Sequence, residues 1–233
     1  MTEELFREDA YLRECKATVV ATAPGKVILD RTIFYPTGGG QPGDHGVLVL
    51  AGGLELAITD TVKDEAGIAH LCAEDAALPS PGDKVTARID WDRRYLHMRM
   101  HSCMHLLCAA VPCGVTGGQI GAEKSRIDFD TGDHVLDKEQ ITSELNRMVA
   151  EDLPLSHRWI TAEELDASPE LVRTMSVQPP RSGGRIRLME VEGADLQPCG
   201  GTHVARTGEI GPVAVSKIEN KGKRNRRVNV VFA

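Results

Sequence analysis

Two short segments of the sequence carry side chains that bind transition metals. His101 and His105 are four residues apart, and in a helix such a pair lies on one face, one turn apart. Cys199 and His203 have the same spacing and enclose two glycines, which let a loop wrap closely round an ion. Three imidazoles and one thiolate form a tetrahedral nitrogen and sulfur set that suits Zn²⁺. We therefore predict one zinc ion per chain, bound by His101, His105, Cys199 and His203.

The pattern leaves the role of this zinc ion open. A coordination shell filled by four protein ligands is typical of a structural site, whereas a catalytic site keeps one coordination position for water or substrate. The histidine pair is not the motif of zinc proteases, because Ser102 follows His101 where that motif has a glutamate base. His97 lies one turn before His101. It is either a support for a ligand or, as we expect, an ordinary core or surface histidine.

Residues 34–46 form a glycine-rich segment with five glycines and two prolines. Such a segment is either a long turn between strands or a lid over a pocket, since its backbone can turn sharply and approach another surface closely. A nucleotide-binding P-loop is disfavoured, because no Gly-Lys-Ser/Thr follows. As a lid, its polar contacts would come from Thr37, Gln41 and the backbone N–H groups of Gly38, Gly39 and Gly40.

A segment near the C-terminus is rich in Lys and Arg, although the chain as a whole is acidic. The chain has 27 Lys and Arg against 34 Asp and Glu and a net charge of −7. This basic segment is either a solvated hairpin tip or a patch that binds nucleic-acid phosphates. The candidate phosphate contacts are Lys221, Lys223 and Arg224. The other cations that could belong to the patch are Lys217, Arg226 and Arg227, and those that could extend it are Arg93, Arg94, Arg99, Arg181, Arg185 and Arg187.

The elements that position these residues can be predicted from local patterns. Residues 91–108 contain no Pro or Gly and predict a helix with Asp92 as N-cap and a stop near Pro112. Two capping boxes, Asp137 with Gln140 and Thr161 with Glu164, predict two further helices. Residues 117–121 are expected to form a tight loop. Strands are expected at 16–22, 26–30, 46–50, 54–59, 84–90, 125–130, 155–160, 185–191, 213–218 and 226–232.

This order predicts an α+β protein of two domains. Residues 1–90 contain short strands separated by turn residues, which suggest a small barrel or sandwich. Residues 91–233 mix helices and strands.

Composition restricts the class of protein further. The net negative charge argues against a protein that coats nucleic acid non-specifically, and an aromatic content of 4% argues against base stacking as the main binding device. We expect a cytoplasmic protein without a signal peptide, a membrane span or a disulfide framework, although it has six cysteines.

Four segments in this order resemble one family: the glycine-rich residues 34–46, the histidine segment 90–105, the strand 124–130 and the Pro-Cys-Gly-Gly-Thr-His segment 198–203. Together they resemble the AlaX family of freestanding alanyl-tRNA editing proteins, in its medium-length class. These proteins are similar to the editing domain of alanyl-tRNA synthetase. The resemblance covers nearly the whole chain.

The resemblance implies a translation-factor-like β-barrel followed by an α/β editing domain of the threonyl/alanyl-tRNA synthetase type. It implies a trans-acting zinc hydrolase that removes serine from tRNA(Ala) and spares alanine, with glycine as a second candidate substrate. His101, His105, Cys199 and His203 match the zinc ligands of the family, with His101 and Cys199 at the reacting centre. Thr37 and Gln41 match the loop that senses the aminoacyl group.

Two alternatives stay open from the sequence. One is a tRNA-binding module in which zinc is only structural, and the other is an editing relative that acts on another mischarged tRNA, such as Ser-tRNA(Thr).

Overall fold

The computed structural model describes residues 2–173 and 184–233, and the predicted Arg181 contact lies outside the described residues. The chain forms two compact units, Met1–Tyr95 and Leu96–Ala233. The division between them falls within a helix, a few residues after the predicted boundary near residue 90. No described helix combines the length and the hydropathy needed to cross a membrane.

Residues 2–95, the described part of the first unit, contain nine strands. Their bounds are β1 Glu3–Glu4, β2 Glu14–Ala23, β3 Lys26–Leu29, β4 Arg31–Thr32, β5 Gly46–Val49, β6 Glu55–Ile58, β7 Asp60–Asp64, β8 Gly67–Leu71 and β9 Lys84–Ile89. Seven of them form one sheet in the order β6-β5-β9-β2-β3-β8-β7, and β1 pairs with β4. Strand β2 pairs with β9 along its first half and with β3 along its second, across an irregularity between Val19 and Ala21.

The seven-stranded sheet is open within the described residues and does not form the closed barrel that was predicted. The edge strands β6 and β7 are not hydrogen-bonded to each other within the described residues. They are, however, consecutive in the chain, with Thr59 as the single residue between them. Alternate residues along the strands face a core that includes Leu29, Phe34 and Leu48, all wholly buried.

Helix α1, Trp91–Ala110, begins two residues earlier than a cap at Asp92 would allow. That prediction is wrong: the Asp90 carboxylate accepts from the backbone N–H of Arg93, so Asp90 supplies the capping oxygen. Asp92 lies inside the first turn, where its negative charge still faces the positive end of the helix. The helix ends just before Pro112, as expected.

The described residues of the second unit form two sheets and two more helices. Their bounds are β10 Gly114–Gln119, β11 Lys124–Asp130, α2 Lys138–Ala150, β12 Leu155–Thr161, α3 Ala162–Asp166, β13 Arg185–Val191, β14 Asp195–Pro198, β15 Val213–Asn220 and β16 Asn225–Phe232. One sheet has the order β10-β11-β16-β15 and the other the order β12-β13-β14. Helix α2 docks on β15, where the Asn146 amide bonds both backbone groups of Val213.

The predicted mixture of helices and strands is confirmed. Every predicted strand overlaps an observed one, with ends that agree within two residues. Asp137 caps α2 through the backbone N–H of Gln140, and the Thr161–Glu164 capping box opens α3. The tight loop expected at 117–121 is wrong, because Gly117 and Gly118 pair with β11 as part of β10. The strands that were not predicted are β1, β4, β7, β8, β10 and β14.

One buried histidine in the first unit has its two ring nitrogens satisfied by neutral partners. The Thr32 hydroxyl lies 2.8 Å from Nε2 of His70, and the Val27 carbonyl lies 3.1 Å from Nδ1. Burial lowers the pKa of His70 to about 4, so this side chain is neutral in the folded protein.

Candidate metal centre

The structure brings His101, His105, Cys199 and His203 together, although the two pairs are far apart in sequence. One nitrogen or sulfur atom from each lies within 4.8 Å of those of the other three. The Cys199 Sγ atom is 3.5 Å from Nε2 of His101 and 3.2 Å from Nε2 of His203. The three imidazoles are buried, with exposed fractions of 7% or less. This donor set fits a borderline-soft divalent cation such as Zn²⁺.

Hydrogen bonds on the far side of two rings orient them toward this centre. Nδ1 of His105 lies 2.8 Å from a carboxylate oxygen of Asp195, whose side chain is wholly buried. Nδ1 of His203 lies 3.2 Å from the Ser102 hydroxyl, and that oxygen also accepts from the Val204 backbone N–H. When Nδ1 carries the proton in each ring, Nε2 keeps its lone pair for a metal.

The electrostatics of the cluster favour the ligand forms of its side chains. Burial raises the pKa of Cys199, but His101 and His203 outweigh burial and hold it well below its usual value, so the thiolate is favoured. Burial and the neighbouring His101 hold the pKa of His203 well below its usual value, so this imidazole is neutral. Burial lowers the pKa of His105, but its hydrogen bonds to Asp195 and Cys199 raise it to about 9. A bound cation would displace that proton, as is usual when metals bind histidine.

The Asp195 carboxylate was missed by the sequence reasoning, although a signal for it exists. Asp195, Gln197 and Cys199 alternate along β14 and its extension, so their side chains share one face. The Gln197 amide donates to the same Asp195 oxygen that bonds His105, at 2.8 Å. An aspartate and a glutamine at alternate positions before a ligand cysteine are the pattern that predicts this support.

Arg187 holds the loop that carries Cys199. Its Nη1 donates to the carbonyls of Gly201 at 2.9 Å and Cys199 at 3.3 Å, while its own carbonyl accepts from the Cys199 N–H. Arg187 is buried and therefore cannot extend a surface phosphate patch, which corrects that prediction.

His97 is also buried, at 1% exposure, on α1. The four-residue group found among the described residues includes His101 and not His97. This agrees with the expectation of an ordinary core histidine.

The glycine-rich segment lies in the first unit and turns back on itself. Gly38 and Gln41 pair through their backbones, and the Thr37 hydroxyl accepts from the Gly43 N–H at 2.8 Å. The Tyr35 hydroxyl donates to the Gly38 carbonyl. Thr37 is exposed whereas Gln41 is buried. The segment is therefore an ordered turn that presents Thr37 to solvent.

Two glycines at the tip of this turn have backbone angles that other residues rarely adopt. Gly39 has φ +58° and Gly40 has φ +83°, both in the left-handed region. Gly38, Gly39 and Gly40 are at least partly exposed, so their backbone groups lie at the surface of the first unit.

A buried ion pair anchors the same segment. The Arg94 guanidinium bonds both carboxylate oxygens of Asp44 and donates to the carbonyls of Ile33 and Ala10. Asp44 also accepts from the Tyr35 N–H at 2.6 Å, and the Arg94 and Asp44 side chains have no exposed surface. Arg94 therefore belongs to the interior of the first unit and cannot extend a phosphate patch, contrary to the sequence prediction.

The basic segment is less positive than its composition suggests. Arg224 pairs with Asp130 at 3.0 Å, Arg227 with Asp128 at 2.7 Å, and Lys217 with Glu219 at 3.0 Å. The turn between β15 and β16 nevertheless exposes Lys221, Lys223 and Arg224.

Arg99, another proposed extension of the patch, is engaged elsewhere in the second unit. It donates to the Ile210 carbonyl, and its guanidinium lies 4.1 Å from the centroid of the Phe232 ring. The turn is therefore a part of the predicted patch whose Lys221, Lys223 and Arg224 side chains face solvent.

Each of the two units contains a segment that matches a known protein family. Residues 6–93 match the family described as tRNA synthetases class II (A), and residues 186–229 match the threonyl and alanyl tRNA synthetase second additional domain.

Relatives that match over almost their whole length are named alanyl-tRNA editing proteins. The alanyl-tRNA editing protein AlaX-M of Methanosarcina acetivorans is 38% identical, and that of Saccharolobus solfataricus is 36% identical; 98% of each chain is covered. The alanine–tRNA ligase of Pyrobaculum neutrophilum is 37% identical over 94% of this chain but only 25% of its own length. The match to AlaX-M proteins runs from end to end, whereas the match to the ligase is confined to a part of it. The chain therefore belongs to the AlaX family of alanyl-tRNA editing proteins.

Proposed function

We propose that this protein is a trans-editing hydrolase that cleaves the ester between serine and tRNA(Ala) and spares alanine. The observation that carries the proposal is the buried cluster of three histidines and one cysteine, in a chain that matches alanyl-tRNA editing proteins over 98% of its length. Gly-tRNA(Ala) is a second substrate to be tested. We place the activity in the cytoplasm, where tRNA is charged and used.

The chemistry of serine explains why such an enzyme is needed. A pocket that admits alanine rejects an added hydroxyl poorly, so a synthetase for alanine admits some serine and requires a second, hydrolytic site. A polar group in that site can bond the serine hydroxyl, which alanine lacks. We propose that Thr37 and Gln41 provide this recognition, together with the backbone groups of Gly38, Gly39 and Gly40. The exposure of Thr37 supports its part in the proposal.

We propose Zn²⁺ as the bound metal, one per chain, with His101, His105, Cys199 and His203 as ligands. When bound, zinc would polarise the ester carbonyl, lower the pKa of a bound water or anchor the substrate. Asp195 fixes the orientation of His105, and Ser102 fixes that of His203. Cys199 serves as a thiolate ligand rather than as a nucleophile, since a metal-bound thiolate is a poor covalent catalyst.

We also propose the domain assignment that the family resemblance implies. Residues 1–90 would form a translation-factor-like domain and residues 91–233 the editing domain. Lys221, Lys223 and Arg224 are proposed phosphate contacts, and their exposure supports this role.

A deacylation assay over a panel of charged tRNAs tests the proposal. Zinc-replete protein should release serine from Ser-tRNA(Ala), and glycine from Gly-tRNA(Ala) if that ester is also a substrate, and should leave Ala-tRNA(Ala) intact. His101→Ala and Cys199→Ala should abolish release and lower the zinc content. The exposed His134→Ala and the half-buried Cys113→Ala are matched controls that should retain both.

Each other outcome has a definite meaning. Binding of tRNA without hydrolysis of any ester would contradict the proposal and indicate a tRNA-binding module with structural zinc. Faster release from Ser-tRNA(Thr) than from Ser-tRNA(Ala) would indicate an editing relative with a different tRNA.

A further inference from the structure

The three-stranded sheet β12-β13-β14 has one face that supports the metal centre. Asp195 and Gln197 lie on this face, next to His105. They pair in register with Val191 and Met189 of β13, so those side chains share the face. The opposite face carries Ile160, Ile186 and Leu188, which pack against Leu165 of α3 in a separate apolar core.

A row of three residues crosses this sheet on the metal-centre face. Trp159 of β12 pairs with Arg187 of β13, and the Arg187 carbonyl accepts from the Cys199 N–H at 3.0 Å. Neighbouring strands are about 4.8 Å apart, so the Trp159 backbone lies roughly 10 Å from that of Cys199, two strand spacings away. The Trp159 side chain is therefore on the same surface as the metal ligands and within the length of one nucleotide of them.

Trp159 combines partial exposure with a neighbouring cation. Its side chain is only half-buried, and the exposed Arg185 holds its guanidinium 5.7 Å from the centroid of the indole ring. A half-exposed tryptophan beside an arginine combines a stacking surface with a positive charge. Proteins bind unpaired nucleotides with this combination, in which the base stacks on the ring and the cation attracts phosphate.

We infer that Trp159 and Arg185 form the binding site for the terminal adenine of the aminoacylated tRNA. The inference rests on the proposed function, because the ester to be cleaved is on the ribose of that same nucleotide. An ester held at the metal centre places its adenine one ribose away, which is the separation that the row from Cys199 to Trp159 provides. Arg187, between them, positions the loop that carries Cys199.

The kinetic test replaces Trp159 and measures deacylation of Ser-tRNA(Ala). Stacking of a base on an aromatic side chain contributes about 1–3 kcal/mol, so Trp159→Ala should raise KM by about tenfold or more and change kcat little. Trp159→Phe keeps a ring and should stay within about threefold of the wild type. Arg185→Gln, at an exposed position, should raise KM by a smaller factor. Thermal unfolding of all three variants provides the check on folding.

A binding test that does not depend on hydrolysis separates this inference from the proposed function. In a Trp91→Phe background, Trp159 is the remaining tryptophan, since the chain has two. An uncharged acceptor-stem minihelix that ends in CCA should quench its fluorescence and bind several-fold more tightly than the same minihelix ending in CC. Trp159→Ala should remove this difference in affinity.

The outcomes are distinguishable. If the protein binds the CCA minihelix more tightly but hydrolyses no ester, the proposed function is contradicted and the inference of an adenine site is supported. Equal binding of both minihelices, or an unchanged KM for a folded Trp159→Ala protein that deacylates normally, would overturn the adenine site and keep the function.

Discussion

Replacing Arg94 by methionine should be among the most destabilising single substitutions in the first unit. Methionine keeps much of the length of the side chain but removes the charge and all donors. The Asp44 carboxylate, which has no exposed surface, would then lose its Arg94 donors and keep the hydrogen bond from the Tyr35 backbone N–H. The carbonyls of Ile33 and Ala10 would each lose a donor as well.

The magnitude follows from the burial of the pair. Removing one partner of a buried ion pair costs about 3–5 kcal/mol, because an uncompensated charge is left behind. Arg94→Lys keeps the charge but loses the planar fork that bonds both oxygens, so we expect a smaller cost of about 1–2 kcal/mol. Arg88 and Glu55 form a matched exposed pair in the same unit, with about half of each side chain accessible. Arg88→Met should therefore cost less than about 1 kcal/mol.

Urea denaturation of Arg94→Met, of Asp44→Asn and of the double variant Arg94→Met/Asp44→Asn measures the coupling energy between the two side chains. The double variant removes both buried charges, so its cost should be smaller than the sum of the single costs by about 2–3 kcal/mol. Additive costs, or an Arg94→Met protein no less stable than Arg88→Met, would refute the reasoning from burial.

Three further predictions concern other parts of the molecule. Asp195→Asn should weaken zinc binding about 10- to 100-fold in a chelator competition, since the partner that orients His105 is lost, and an unchanged affinity would assign Asp195 to packing alone. Lys221→Gln with Lys223→Gln should weaken tRNA binding and reduce the slope of log affinity against log salt by about 1 per lysine; an unchanged slope would make the turn a solvated tip. His70 has a pKa lowered to about 4, so between pH 6.5 and 4 the unfolded chain binds a proton that the folded chain excludes. The free energy of unfolding should therefore fall by about 2 kcal/mol between pH 7 and 5 beyond any fall in His70→Gln, and parallel pH profiles would contradict this.

Local patterns in the sequence determined much of the secondary structure. Ten strands and three helices could be placed because alternation of apolar residues, glycine and proline turns and capping boxes depend on neighbours a few residues away. The errors were local as well: Asp90 rather than Asp92 provides the helix cap, and two glycines expected to form a loop entered β10 because β11 supplied hydrogen-bond partners.

The metal-binding residue types and their spacing were also readable from the sequence, since each pair lies within a single element or loop. What tertiary structure decided was which charges meet across the chain. Asp195 bonds His105 across 90 residues, and Asp44 bonds Arg94 across 50. Carboxylates such as Asp128 neutralise cations that the sequence analysis assigned to an open basic patch. These pairings depend on strand register and on the desolvation of buried charges, and neither quantity is present in any local pattern of residues.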